Sequence, residues 1–137
     1  VISAPGEFLD SNVLVYAFTT DPRAARAQGL LARGCTISAQ GLNEFTNVAR
    51  RKLRMKWEEV REALAAIRTL CRTVLPVDID MHTDAVRIAE HHGYGIFDAL
   101  IVAAALRADC GVLWSEDMQD GVVVDGRLRI ANPFRAA

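Results

Sequence analysis

Four short apolar or β-branched runs alternate with longer stretches of helical spacing, and this alternation restricts the fold more than any other feature. Glu7 to Asp10, Cys35-Thr36-Ile37-Ser38, Thr73-Val74-Leu75-Pro76-Val77 and Val112-Leu113-Trp114 read as strands, the second buried and bounded by Gly34, the fourth opened by Gly111. Pro76 makes the third short or an edge strand, because proline donates no ladder hydrogen bond. Between them, Val13 to Phe18 forms one or two helical turns, and Asp21-Pro22 opens a helix over 22–33. Leu42, Phe45, Ala49 and Leu53 mark a helix over 40–52, and Val60, Leu64, Ile67 and Cys71 mark one over 57–72. Asp80 can cap a helix that ends at Gly93, and 96–108 is apolar nearly all round. Val122 to Ile130, with a turn at Asp125-Gly126, adds a hairpin or a last strand. Strands alternating with helices through short links predict a mainly parallel sheet with helices on both faces.

The 137 residues, 51% of them apolar, suit one domain, 1–137, without a linker or repeat. Val1 to Pro5 read as a disordered or foreign lead. Sixteen Lys and Arg against seventeen Asp and Glu exclude wholesale electrostatic adhesion to a polyanion, so any such partner must meet a local patch. The longest apolar run, Ala99 to Leu106, falls short of the roughly 20 residues a membrane helix needs. Cys35, Cys71 and Cys110 are odd in number and widely spaced, as expected of buried thiols in a reducing compartment. A soluble cytoplasmic protein is expected.

The acids are the unusual feature of such a chain. In an open parallel sheet, sites form beyond the carboxyl ends of the strands. Asp10 ends the first strand, Glu44 lies in the first turns of the helix after the second, and Asp117 follows the fourth. Asp98 joins them if its helix descends from that edge into the fourth strand, and helix 80–92 must then rise or cross obliquely. Taken singly, the others have ordinary readings, Asp98 as a helix-dipole partner, Glu44 as a solvated acid, Asp117 and Asp120 as turn residues near Gly121, whereas Asp10 follows two buried apolar residues and is hardest to dismiss. Together they form a costly group, since a like-charge pair at 4 Å repels by about 4 kcal/mol at an effective dielectric of 20. An all-oxygen donor set without Cys or His suits Mg²⁺ or Mn²⁺, with Asp10 as first ligand.

FLDSNVLVYAF around Asp10, Asn43-Glu44-Phe45, IFDALIVAAAL around Asp98, LWSEDMQDG and the terminal Asn132-Pro133-Phe134 together resemble the PIN-domain ribonucleases, above all the VapC-like toxins of bacterial toxin–antitoxin pairs. The resemblance spans Glu7 to Phe134. It implies a three-layer α/β/α PIN-like fold, with a sheet of four or five strands, that cuts RNA with Mg²⁺ or Mn²⁺. It implies Asp10 and Asp98 as principal metal ligands, Glu44 completing the catalytic acids and Asp117 as the fourth. Asn12 and Ser115 match polar positions that hold the acids, and Asp120 is a fifth, supporting acid. It also implies a homodimer and a cognate antitoxin laid across the acids. Gly95 departs from the pattern, since relatives often carry a Ser or Thr there and glycine supplies no capping hydroxyl.

Arg50, Arg51, Lys52, Arg54 and Lys56 fall within seven positions and read either as a phosphate grip or as a solvated helix face. Trp57 beside them reads as a base-stacking platform, a core residue or a dimer contact. His82, His91 and His92 are assigned no chemistry. An aspartyl-phosphate phosphatase fits poorly, because the position two after Asp10 is Asn12. A receiver domain fits poorly too, because no lysine follows Lys56. The alternative to a nuclease is a non-catalytic PIN-like module that binds RNA or protein.

Overall fold

A computed structural model of the chain describes residues 6–71 and 73–135, so the lead Val1 to Pro5 and the expected helix end at Arg72 lie outside the described residues. Twelve elements follow in order: β1 (Glu7–Leu9), α1 (Ser11–Tyr16), α2 (Ala24–Ala32), β2 (Thr36–Ser38), α3 (Ala39–Arg51), α4 (Trp57–Leu70), β3 (Thr73–Leu75), α5 (Ile79–His92), α6 (Ile96–Arg107), β4 (Val112–Trp114), β5 (Val123–Val124) and β6 (Leu128–Ala131). The sheet order is β3-β2-β1-β4-β6-β5, parallel except that β5 runs antiparallel to β6. It has six strands rather than four or five, because the carboxyl-terminal segment supplies two. Asp125 and Gly126 both take positive φ, the backbone that a tight hairpin turn requires.

Side-chain alternation along the strands divides the core into two layers. In β1, Phe8 joins a cluster with α5, α6 and the hairpin, while Leu9 joins one with α1 to α4. Residues 99–106 of α6 are all buried, which explains why no polar face is visible in that helix. The three cysteines are buried and free, as expected.

Three helix starts differ from the sequence reading. Helix α1 begins at Ser11 rather than Val13, because Asp10 caps it. Regular helix in α2 begins at Ala24, after Asp21 has accepted hydrogen bonds from Arg23 N (2.8 Å) and Ala24 N (2.9 Å). In α5 the cap is Asp78, not Asp80: its carboxylate accepts from Met81 N at 2.8 Å. The register that buries Met81, Ala85 and Ile88 on one stripe requires the helix to start at Ile79, which leaves Asp80 in the first turn.

Asp78 also accepts two hydrogen bonds from Arg107 Nη1, at 2.9 and 2.8 Å. The start of α5 therefore lies beside the end of α6, and the two helices run antiparallel across the short turn at Gly93. Helix α5 rises and α6 returns, which brings Asp98 to the carboxyl edge of the sheet.

Candidate functional site

The acidic site is organised by strand register. Leu9, Trp114 and Ala131 are aligned across β1, β4 and β6, so Asp10, Ser115 and Asn132 are the first residues beyond the sheet. Asp10 N donates to Trp114 O and Ser115 N to Ala131 O, both at 3.0 Å, extending the ladder by one step. Asp10 is only 3% exposed. It caps α1 through Oδ1, which accepts from Ser11 N at 2.7 Å, while Oδ2 accepts from the buried Ser115 Oγ at 2.7 Å.

Glu44 reaches the same place from α3, a helix capped by Ser38, whose Oγ accepts from Gly41 N at 3.1 Å. Ser11 Oγ donates to Glu44 Oε2 at 2.8 Å, so one residue touches both acids. Gln40 Nε2 donates to the other Glu44 oxygen at 3.2 Å. Asn12 Nδ2 donates to Asp117 Oδ2 at 3.1 Å and lies 3.4 Å from Asp10 Oδ2, and Asn12 Oδ1 accepts from Glu116 N. Asp98 stands in the first turn of α6 after Gly95, which gives no side-chain cap, as its lack of a hydroxyl requires.

Electrostatics tie the four acids together. Burial pushes the Asp10 carboxyl up to about 6; hydrogen bonds from Ser115 and Ser11 oppose the shift, and the charges of Glu44 and Asp98 add to it. Burial raises Asp98 as well, followed by repulsion from Glu44 and Asp117. Both protonations are favoured by the neighbouring acids, so a cation would relieve the whole group at once.

Among the described residues, no three of His, Cys, Asp and Glu are near enough to enclose a metal directly. With neither Cys nor His among its donors, the group is a poor fit to a closed site of the zinc type. The donor set, all carboxylate and held together against mutual repulsion, fits a hard cation that keeps several waters, such as Mg²⁺ or Mn²⁺.

Asp120 stands apart from this group. Its oxygens accept from Asn132 N at 2.8 Å and Arg135 Nη1 at 3.0 Å, and the first of these bonds chiefly holds it below its ordinary range. Arg50, Arg51, Lys52 and Arg54 are all exposed around the end of α3. Lys52 lines a cleft of about 330 Å³ with Asn12 and Asp117. Arg50 lies over the Trp57 ring at 4.5 Å, and Trp57 is 53% exposed, so it is no core residue.

Sequence reasoning missed Ser11 and Gln40. Ser11 reads as a turn residue, yet a hydroxyl directly after a capping acid is placed to meet a second one. Also missed was Glu116, held by Tyr16 OH (2.7 Å) and Arg23 Nε (3.1 Å), which anchors the loop that carries Asp117.

A parallel sheet with converging acids beyond its carboxyl edge defines a class of α/β domain with a single acidic centre. The sequence matches the PIN domain over residues 8–120, and the chain belongs to that family. Three solved structures share its fold. A toxin–antitoxin complex from Klebsiella pneumoniae is 18% identical, with a TM-score of 0.72, covering 98% of this chain and 100% of its own. VapBC2 from Rickettsia felis, bound to promoter DNA, is 21% identical (TM-score 0.65; 92% and 97% covered). VapC20 from Mycobacterium tuberculosis, described as a toxin cleaving the sarcin–ricin loop, is 20% identical (TM-score 0.64; 81% and 89% covered). At these identities the likeness establishes the fold. No curated protein matches in sequence.

Proposed function

We propose that this chain is a metal-dependent endoribonuclease, the toxin of a toxin–antitoxin pair. The observation that carries the reading is the coupling of Asp10, Glu44, Asp98 and Asp117 at one sheet edge, within a PIN domain. Asp10 and Asp98 would hold Mg²⁺ or Mn²⁺, with Glu44 and Asp117 completing the negative field. When bound, the cation supplies Lewis-acid polarisation of the phosphodiester and a more acidic water. Ser11 and Ser115 keep the Asp10 and Glu44 carboxylates oriented, and Asn12 holds Asp117 near Asp10. Hydrolysis by water in line with the leaving oxygen leaves a 5′-phosphate and a 3′-hydroxyl.

Complexes such as those from Klebsiella pneumoniae and Rickettsia felis support an antitoxin partner here. A homodimer and a cytoplasmic setting belong to the same reading. Cleavage of assorted RNAs with Mg²⁺ or Mn²⁺ tests it, with Asp10→Asn and Asp98→Asn expected to abolish the reaction. Equal cleavage by all three proteins would remove the proposal. The second reading is a non-catalytic PIN-like module that keeps the same acids and binds RNA or protein without metal. Calorimetry separates the two: RNA binding without Mg²⁺ or Mn²⁺ binding at millimolar metal selects the module.

A further inference from the structure

The face of α3 beside the acids carries a pattern that the acidic chemistry does not use. Gln40, Asn43, Asn47 and Arg50 follow one another at spacings of three, four and three, so they form one stripe about 15 Å long. The opposite stripe, Gly41, Phe45 and Ala49, is buried. Asn43 and Asn47 are exposed, and neither amide has a hydrogen-bond partner among the described residues.

Two grooves, each of about 360 Å³, lie along this stripe. The first is lined by Gln40, Asn43, Asn47 and Phe97 together with the acids Glu44 and Asp98. The second is lined by Asn43, Thr46, Asn47, Arg50 and Trp57. Asn43 and Asn47 line both, so the two grooves adjoin and together make a channel-like path from the acids toward Trp57. Its ends are marked by two exposed aromatic rings, Phe97 at 61% and Trp57 at 53%, the latter backed by the Arg50 guanidinium.

We infer that this channel seats an unpaired RNA strand, with bases stacked on Trp57 and Phe97 and their edges read by the Asn43 and Asn47 amides. The inference rests on the nuclease reading and adds how the substrate is held. An aromatic ring backed by a cation is a sequence-tolerant base platform. A side-chain amide offers a paired donor and acceptor that matches the edge of adenine. The fixed pitch of α3 sets the two amides about 6 Å apart, which suits splayed bases rather than a closed duplex. Glu44 and Asp98 in the channel wall place the backbone of such a strand beside the acidic centre.

Trp57 makes the test direct. Trp114 is the other tryptophan of the chain, and its indole N–H is buried without a hydrogen-bond partner among the described residues, so Trp114→Phe isolates the Trp57 signal. Short oligo(A), oligo(C) and oligo(U) are titrated in EDTA, which prevents cleavage, against wild type and Trp114→Phe. Labelled oligo(A) is titrated against wild type and the surface double variant Asn43→Ala/Asn47→Ala. The expected results are quenching by single strands but not by duplex, tightest with oligo(A). The double variant should bind oligo(A) about a hundredfold more weakly, as for two lost bidentate pairs at about tenfold each.

No quenching, or wild-type affinity in the double variant, overturns the inference. A Trp57 spectrum that shifts with protein concentration and ignores RNA overturns it too, by assigning the face to a second copy. Metal-dependent cleavage with no quenching sinks the channel alone. Quenching and amide dependence without cleavage sink the nuclease reading and leave the channel standing.

Discussion

At the scale of the residue, Asp10 is in conflict between folding and chemistry. Its carboxyl titrates at about 3.8 when unfolded and about 6 when folded. The burial of Asp10 thus carries no penalty below pH 3.8; the penalty grows between pH 3.8 and 6, while the unfolded chain ionises and the folded one does not, and levels off above 6 at about 3 kcal/mol. Asp98 is shifted in the same direction. Without metal, chemical denaturation should show the protein more stable at pH 5 than at pH 7.5. Asp10→Asn should flatten that dependence and stabilise the metal-free protein at pH 7.5 by about 1–3 kcal/mol, while removing cleavage. Ser115→Ala should act oppositely. It takes a 2.7 Å hydrogen bond from a buried carboxylate and strands Met118 N, so a loss of about 1–3 kcal/mol at pH 7.5 is expected in urea titrations.

At the scale of the element, two helix ends do separate work. Asp78 caps α5 and joins its start to the end of α6 through Arg107, where the antiparallel pair meets. Asp78→Ala should lower the urea midpoint of unfolding, while Asp80→Ala, without a capping bond, should change it little. The end of α3 is basic and exposed, and Lys52 lines the same cleft as Asp117. If Arg51 and Lys52 meet phosphates, their double replacement by Gln should weaken RNA binding equally for all sequences. The slope of log affinity against log salt should then become shallower by about 0.7 for each phosphate that no longer meets a cation, as read by fluorescence anisotropy across salt concentrations. Removal of the Asn43 and Asn47 amides should instead change base preference.

At the scale of the whole molecule, the four acids stay close only because two packed layers hold their elements there. A cation that binds the folded state alone should raise the unfolding free energy by about 2.7 kcal/mol at a hundred times its dissociation constant. Mg²⁺ or Mn²⁺ should therefore raise the melting temperature of the wild type, EDTA should reverse the rise, and Asp10→Asn should not respond.

Much of this architecture is legible in the chain itself. Strands of three residues are located by their β-branched or apolar content, and β4 reads as Val112-Leu113-Trp114 because Gly111 bounds it. Helix α6 is evident because burial on every side demands an apolar helix. Asp10 and Glu44 are placed at one edge by the rule that loops converge beyond parallel strands. The cap of α5 is misassigned from sequence because Asp78 and Asp80 are chemically equal, and only the burial of Met81 decides between them. Ser11, Gln40 and the α3 stripe escape because their partners lie on other elements. By itself the sequence determined which segments are strand or helix, which residues are acidic, and that the acids sit near element ends, since propensity and hydrophobic period are local. Tertiary structure alone decided that β1, β4 and β6 align in register, that α5 rises to bring Asp98 to the edge, and that Asp120 turns to Asn132 and Arg135. Those depend on long-range packing and strand pairing, whose free energy no local window contains.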